Sequence, residues 1–368
     1  MNIPAKKILL VTTRRLGDVL LVTPLLRSLR IAYPDAQIDM LVYQNTAVIL
    51  KGNSDFDHLI SVTEHPNFKE YKKLFKQIFR RYDLSISTLA GDRPLIYAIL
   101  AAAKRIAIVP PKRWQDAWKR WFVQAWTELD DKYTHTVVQY LRLADLLDIK
   151  RYYEIVVPQL PDSKAKLDKL LPFSWQKKNF AVLHLAPMYN YKRWTLNGWQ
   201  ELSQYLTDTG MQVVLTGGSG EGENRYIQDA LSKMPESVVN LAGKLSFSDV
   251  SELIKNSQIY IGPDTAVTHL AAATGVPTIA LFGPTNPLKW APWPYQYAFD
   301  ETPFNFIGTK KVANVVLLQG KLQEKGDCVP CHQEGCEQHR ESSSRCLEEL
   351  DSSIVIDWVK TMTDCSKD

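Results

Sequence analysis

Short apolar runs, each followed by a longer stretch with apolar positions three and four apart, recur along most of this 368-residue chain. Residues 7–12 form the first run and fit a buried parallel strand. After the turn at 13–18, residues 19–33 keep Leu21, Leu25, Leu29 and Ala32 at helical spacing. Pro34 ends that helix, because the residue before a proline is driven out of the α region. Further strands are predicted at 38–42, 82–88 and 105–109. The second half repeats the grammar: strands at 179–185, 212–218, 238–243, 258–262 and 277–283 alternate with helices at 196–209, 223–234, 248–255 and 265–274. Gly210 and Gly275 suit the left-handed position after a helix. Strands alternating with helices predict an α/β fold with parallel sheets covered on both faces.

Length places this alternation in two domains rather than one. The segment around 160–177 is rich in proline and lysine and has no strand pattern. Expected boundaries are therefore a first domain at 1–165, a linker at 166–178, a second domain at 179–325 and a cysteine-rich segment with a terminal helix at 326–368. Parallel sheets bind ligands at the carboxyl ends of their strands, so two facing sheets imply a cleft between the domains.

Composition is ordinary for a globular protein, with 45 % hydrophobic and 23 % charged residues. The 44 Lys and Arg against 40 Asp and Glu leave a net charge of +4, too little to argue for nucleic acid. Residues 1–12 lack the apolar length and cleavage site of a signal peptide, and no run approaches the ~20 apolar residues of a spanning helix. The expected setting is cytoplasmic.

Four strand ends carry candidate chemistry. At the first, Arg14, Arg15, Gly17 and Asp18 follow a strand. A dinucleotide fold would show G-x-G-x-x-G there, and only Gly17 is present. Asp18 reads either as a helix cap or as a general base at the cleft edge. At the second, Lys192 and Arg193 lie in a loop beside Trp194, as a pyrophosphate contact or as a surface pair next to a packed indole. At the third, Thr216, Gly217 and Gly218 open a glycine-rich turn with Glu221 and Glu223. Its amides could hold an anion, and it lacks the G-K-[ST] ending of a P-loop. At the fourth, Asp264, Thr265 and Ala266 begin a helix that carries His269. The hydroxyl and first amides there can hold phosphate oxygens, and Asp264 can accept from a sugar hydroxyl; a plain cap and a core histidine are the bland alternatives.

The stretch GPDTAVTHLAAATGVPTIALFGPTNPLKWAPW resembles the signature of glycosyltransferase family 9, the ADP-heptose:lipopolysaccharide heptosyltransferases. ILLVTTRRLGDVLLVTPLLRSLRIAYPDAQIDMLVY resembles the family's opening, and KRW at 192–194 and LTGGSGEGE match its intermediate motifs in order. The resemblance implies a GT-B fold with donor on the second domain and acceptor on the first. It implies Asp18 as catalytic base, with Arg14, Arg15 and Gly17 on the acceptor side. Lys192 would contact the donor diphosphate during catalysis, with Arg193 beside it. Thr216, Gly217, Gly218, Asp264, Thr265, Ala266 and His269 would complete the donor site, and Glu221 or Glu223 would bond the ribose. The chain departs from the pattern at Pro187-Met188, where some relatives have hydroxyl residues. Implied partners are ADP-heptose, a lipopolysaccharide inner-core acceptor and, peripherally, the inner membrane. Rivals are another nucleotide sugar or acceptor, and a non-catalytic binding protein, which would have no need of a base.

Two segments of the first half join aromatics to cations. Residues 69–82 put Tyr71, Leu74, Phe75, Ile78 and Phe79 on one helical face among lysines and arginines, and Trp114, Trp118 and Trp121 recur at helical spacing. Such stripes more often face a core, although cations beside them suit an anionic lipid surface. The cysteines run C-x2-C-x4-C-x9-C from Cys328 through Cys331 and Cys336 to Cys346, with Cys365 apart. Four thiolates can fill a tetrahedral structural site for zinc or iron, whereas the transfer chemistry requires no cofactor.

Overall fold

The computed structural model describes residues 4–177, 179–320 and 328–364. It divides into two compact units, one running to Pro158 and including Ala298–Thr302, the other formed by Gln159–Tyr297 and the chain from Pro303 onward.

The first unit contains β1 (Lys7–Thr12), α1 (Leu16–Leu21), α2 (Thr23–Ala32), β2 (Gln37–Tyr43), β3 (His58–Val62) and α3 (Phe68–Ile78). It continues with β4 (Tyr82–Ser87), α4 (Asp92–Ala101), β5 (Ala102–Val109), α5 (Ala117–Trp121), β6 (Ala125–Glu128) and α6 (Thr136–Leu146). Its six strands are all parallel in the order β3-β2-β1-β4-β5-β6. Ile8 to Val11 are fully buried, as a strand covered on both faces demands. The single helix expected at 19–33 is two helices. Pro24 has no amide to donate and sits in the first turn of α2, so the chain restarts there and the Thr23 hydroxyl bonds the Leu20 carbonyl.

The second unit opens with α7 (Ser163–Leu170), β7 (Phe180–His184), α8 (Leu196–Asp208), β8 (Gln212–Thr216), α9 (Glu221–Leu231), β9 (Val239–Asn240) and α10 (Phe247–Lys255). After these come β10 (Ile259–Pro263), α11 (Ala266–Ala273), β11 (Thr278–Phe282), α12 (Pro287–Trp290), β12 (Lys310–Val312), β13 (Val315–Gln319), α13 (Arg345–Glu348) and α14 (Ser352–Asp364). The sheet order is β12-β13-β11-β10-β7-β8-β9, parallel except for β12 against β13.

The segment read as a linker is structured where it is described: α7 joins the second unit, where Lys166 pairs with Asp249 and Trp175 is buried. Residues 321–327, at the expected boundary between the second domain and the cysteine-rich segment, lie outside the described residues. That segment joins the second unit's core through Cys346, Leu347, Val355, Val359 and Met362.

Both sheets reverse their order once. In the first the reversal lies between β1 and β4, in the second between β7 and β10. Crossovers leave in opposite directions at such a point, so the loops beyond the two strands part and leave a crevice.

Candidate active site

In the second unit the loops that leave β7 and β10 bring Lys192 and Asp264 together. Lys192 ends a 3-10 turn at Asn190–Lys192, and its Nζ lies 2.5 Å from Asp264 Oδ2. Asp264 is 8 % exposed. Burial alone would raise its pKa, but the Lys192 charge, nearby His269 and hydrogen bonds from Lys192 and Thr285 hold it below the usual carboxylate range. Thr265 caps α11, accepting from the Thr268 amide, and Ala266 follows in the first turn. The first amides of the helix have no carbonyl four residues back to bond, and that of Thr268 is already taken by Thr265.

His269, in the same helix, is buried and its Nδ1 has no hydrogen-bond partner. Burial pushes its pKa down to about 4, opposed by Asp264 and assisted by Lys192. It is therefore a neutral imidazole with an unsatisfied nitrogen beside an ion pair, and not a satisfied core histidine. A buried polar atom without a partner is costly, and a bound ligand commonly supplies one.

Arg193 does not join this pair. Its guanidinium lies 4.6 Å from the centre of the Tyr226 ring, and its buried Nε has no partner. Trp194 is core, its indole N–H donating to the Leu350 carbonyl. The glycine-rich turn divides by role. A Cβ on Gly217 would stand 2.5 Å from Ile227 Cδ1, so this glycine lets α9 pack closely. The Gly218 amide donates to Glu223 Oε2 at 2.7 Å, while Glu221 stands exposed at the first position of α9. Thr216 is buried at the end of β8 and shares a 3.0 Å hydrogen bond with His184 Nδ1.

In the first unit Asp18 is 5 % exposed and lies inside α1; the capping position belongs to Arg15, whose side chain makes no capping bond. The Tyr140 hydroxyl donates to Asp18 Oδ1 at 3.3 Å, and Arg14 Nε stands 3.6 Å from the same oxygen. Gly17 precedes Asp18 in the helix. Burial and the Asp18 charge hold Tyr140 well above the usual tyrosine range, so it stays a donor. The adjoining strand ends are tied by a 3.0 Å bond between the Thr12 and Thr88 hydroxyls. Tyr140 and Thr88 are not legible in the sequence, because one depends on α6 packing against α1 and the other on β4 lying beside β1; Pro284-Thr285, by contrast, stand within the signature stretch.

The cysteines do not form a closed site as placed. Among the described residues no group of three or more His, Cys, Asp or Glu is positioned to hold a metal ion. Cys346 is drawn into the core, Cys328 and Cys331 are half-buried and Cys336 is exposed. The thiols do sense one another: burial first, then Cys328, Cys331 and Cys336, push Cys346 up to about 12. Cys365 lies outside the described residues.

Comparison with known proteins gives the family and the fold. The family profile described as glycosyltransferase family 9 (heptosyltransferase) matches residues 72–299. Lipopolysaccharide heptosyltransferase 3 of Escherichia coli K12 is 30 % identical over 287 residues, covering 75 % of this chain and 82 % of that protein. The crystal structure of a family 9 glycosyltransferase from Veillonella parvula superposes with a TM-score of 0.78 at 18 % identity, covering 99 % of this chain and 98 % of that one. The Escherichia coli heptosyltransferase WaaC with ADP gives a TM-score of 0.69 at 19 % identity, covering 97 % and 99 %. The fold is thus the α/β GT-B architecture, and this chain belongs to glycosyltransferase family 9, the heptosyltransferases.

Proposed function

We propose that this enzyme is an inverting glycosyltransferase that moves heptose from ADP-heptose to the inner core of lipopolysaccharide, at the cytoplasmic face of the inner membrane. The observation that carries the reading is the Lys192–Asp264 pair beside the unpartnered Nδ1 of His269, at the start of α11 and the switch point of the second sheet. An ammonium and the amides at a helix start suit a diphosphate, whose charge grows as the sugar leaves. Thr265 and Ala266 would hold donor phosphate oxygens, Asp264 would accept from a sugar hydroxyl, and Gly217, Gly218, Thr216 and one of Glu221 or Glu223 would line the nucleoside. Arg193, packed on Tyr226, would support the loop that carries Lys192.

Asp18 would take the proton of the acceptor hydroxyl as that oxygen attacks the anomeric carbon from the face opposite ADP. The C–O bond to ADP breaks as the new glycosidic bond forms, and the configuration inverts. Tyr140 would orient the carboxylate, with Arg14, Arg15 and Gly17 on the acceptor side.

No metal enters this step. A structural zinc or iron on Cys328, Cys331, Cys336 and Cys346 is a separate proposal that rests on the C-x2-C-x4-C-x9-C spacing alone, since the thiols as placed form no closed site. About one equivalent of metal in purified protein would support it; protein that carries no metal and takes up none when zinc or iron(II) is supplied would reject it.

The donor reading is tested with a panel of ADP-, UDP- and GDP-sugars screened for protection against thermal unfolding. ADP-heptose should protect most, ADP next. Protection by another nucleotide alone would replace the donor.

A further inference from the structure

In the first unit α3 and α4 pack on one face of the sheet through Leu74, Ile78, Tyr97 and Ala98. Beside it, Trp118 packs against a second cluster formed by Leu95 of α4 with Ala107, Val109 and Val123. The outside of this layer is unusually apolar for a surface. Phe68 is 83 % exposed, Trp114 86 % and Trp121 82 %, and Tyr71, Phe75 and Phe79 are each exposed by more than two-fifths. The Phe75 and Phe79 rings stack at 4.4 Å, and a groove of about 370 Å³ lies between α3 and α4, with Lys72 its one charged lining residue. Both stripes read as core-facing in the sequence thus carry exposed aromatics, because each helix turns only part of its apolar face to the sheet.

Charge accompanies the aromatics. Residues 68–82 hold six cations, Lys69, Lys72, Lys73, Lys76, Arg80 and Arg81, against the single carboxylate of Glu70. Glu70 is turned to its own helix start, where it accepts from the Asn67 amide and the Thr63 hydroxyl. Among the described residues, none of the six cations makes a side-chain ion pair. On the other flank of α3, Lys73, Lys76 and Arg81 line a second cavity of about 440 Å³ with Lys7 and His58. Its one carboxylate, Asp39, is buried and held by Tyr82, Gln37 and His58.

We propose that the α3–α4–α5 face docks on an anionic phospholipid bilayer, with the aromatics entering the interface and the α3 cations meeting phosphate head groups. An amphipathic helix with exposed aromatics on one side and lysines on the other is built for that boundary. Unpaired cations favour anionic lipid over a neutral surface. The inference rests on the reading of a lipid-borne acceptor only for its purpose, since the surface is argued from α3 to α5 alone.

The test is flotation of the full chain with vesicles of roughly seven parts phosphatidylcholine to three of phosphatidylglycerol, against phosphatidylcholine alone. Wild type should partition to the anionic vesicles and come off as salt rises. Lys72→Glu with Lys76→Glu should lower partitioning at least roughly tenfold, and Phe68→Ser with Trp114→Ser should weaken it at every salt concentration at which wild type still binds. The four substituted side chains are exposed and none belongs to the buried core, so thermal melts and turnover on a soluble, delipidated acceptor should stay at wild-type values. Equal binding to both vesicles, no binding by wild type, or unchanged binding by the variants overturns the proposal. So does a wild-type dimer that the aromatic variant converts to monomer, which would make the face a contact between copies. Absence of turnover on the soluble acceptor in wild type would instead count against the transfer reading, leaving the partitioning result intact.

Discussion

Asp18 and Lys192 each have a structural duty that a test of chemistry must separate. Asp18 accepts from Tyr140 and lies near Arg14, so replacement by alanine would leave a buried hydroxyl unpaired. Asp18→Asn keeps the shape and an acceptor oxygen while removing the base. Turnover should fall by a factor on the order of 10²–10⁴ with ADP affinity and melting temperature near wild type. Near-normal turnover would return Asp18 to a structural role. Lys192 holds Asp264 as well as facing the start of α11. Lys192→Ala should weaken ADP binding on the order of 10–100-fold, the worth of a charge-assisted contact, and leave adenosine binding almost unchanged. Equal losses for the two ligands in calorimetry would mean that the lysine only keeps the loop in place.

Close approach decides much at the level of elements. In α8 a Cβ on Gly198 would lie 2.5 Å from the indole of Trp194 and 2.9 Å from the Thr195 hydroxyl that caps the helix. The indole is rigid, packed edge-on against Trp199 and tied to Leu350, so it cannot yield cheaply. Gly198→Ala should therefore cost roughly 1–3 kcal/mol, read as a drop in the urea midpoint at unchanged slope. An unaltered midpoint would show that the loop before α8 can move aside, and with it Lys192. Gly198 had no visible role in the sequence, since its neighbour is an indole four residues back whose direction depends on the core.

For the whole molecule, acid is the informative stress. His184 and His269 are both buried in the second unit, and burial lowers each pKa to about 4. An unfolded histidine titrates near ~6.5, so between these values the unfolded chain binds protons that the folded chain does not. Stability is then complete above about pH 6.5 and is lost as pH falls towards 4, by roughly 1.4 kcal/mol per unit for each histidine. The lowered carboxyl of Asp264 has the same sign and extends the loss further down in pH. Urea unfolding between pH 7.5 and 5 should show midpoints level above about pH 6.5 and falling below it. Midpoints flat across that range would mean that these imidazoles reach water or a partner in solution.

The sequence by itself determined the alternation of strands and helices, the parallel sheets and the strand ends where chemistry could lie, because periodicity and turn residues are local properties of the chain. It even carried the family, since Asp18, KRW, the glycine-rich turn and the stretch from Gly262 stand in fixed order. Short elements escaped it: β3 has three exposed residues out of five, β6 lies within the tryptophan-rich stripe, and the β12–β13 hairpin follows a long irregular segment. Only the tertiary structure decided that β10 lies beside β7, which brings Lys192 to Asp264 across 72 residues of sequence. It also turned Glu223 onto the Gly218 amide, left His269 Nδ1 without a partner and placed Trp114 and Trp121 outside. Strand order and the direction in which a stripe is buried depend on contacts between elements far apart in the chain, and spacing within one element does not encode them.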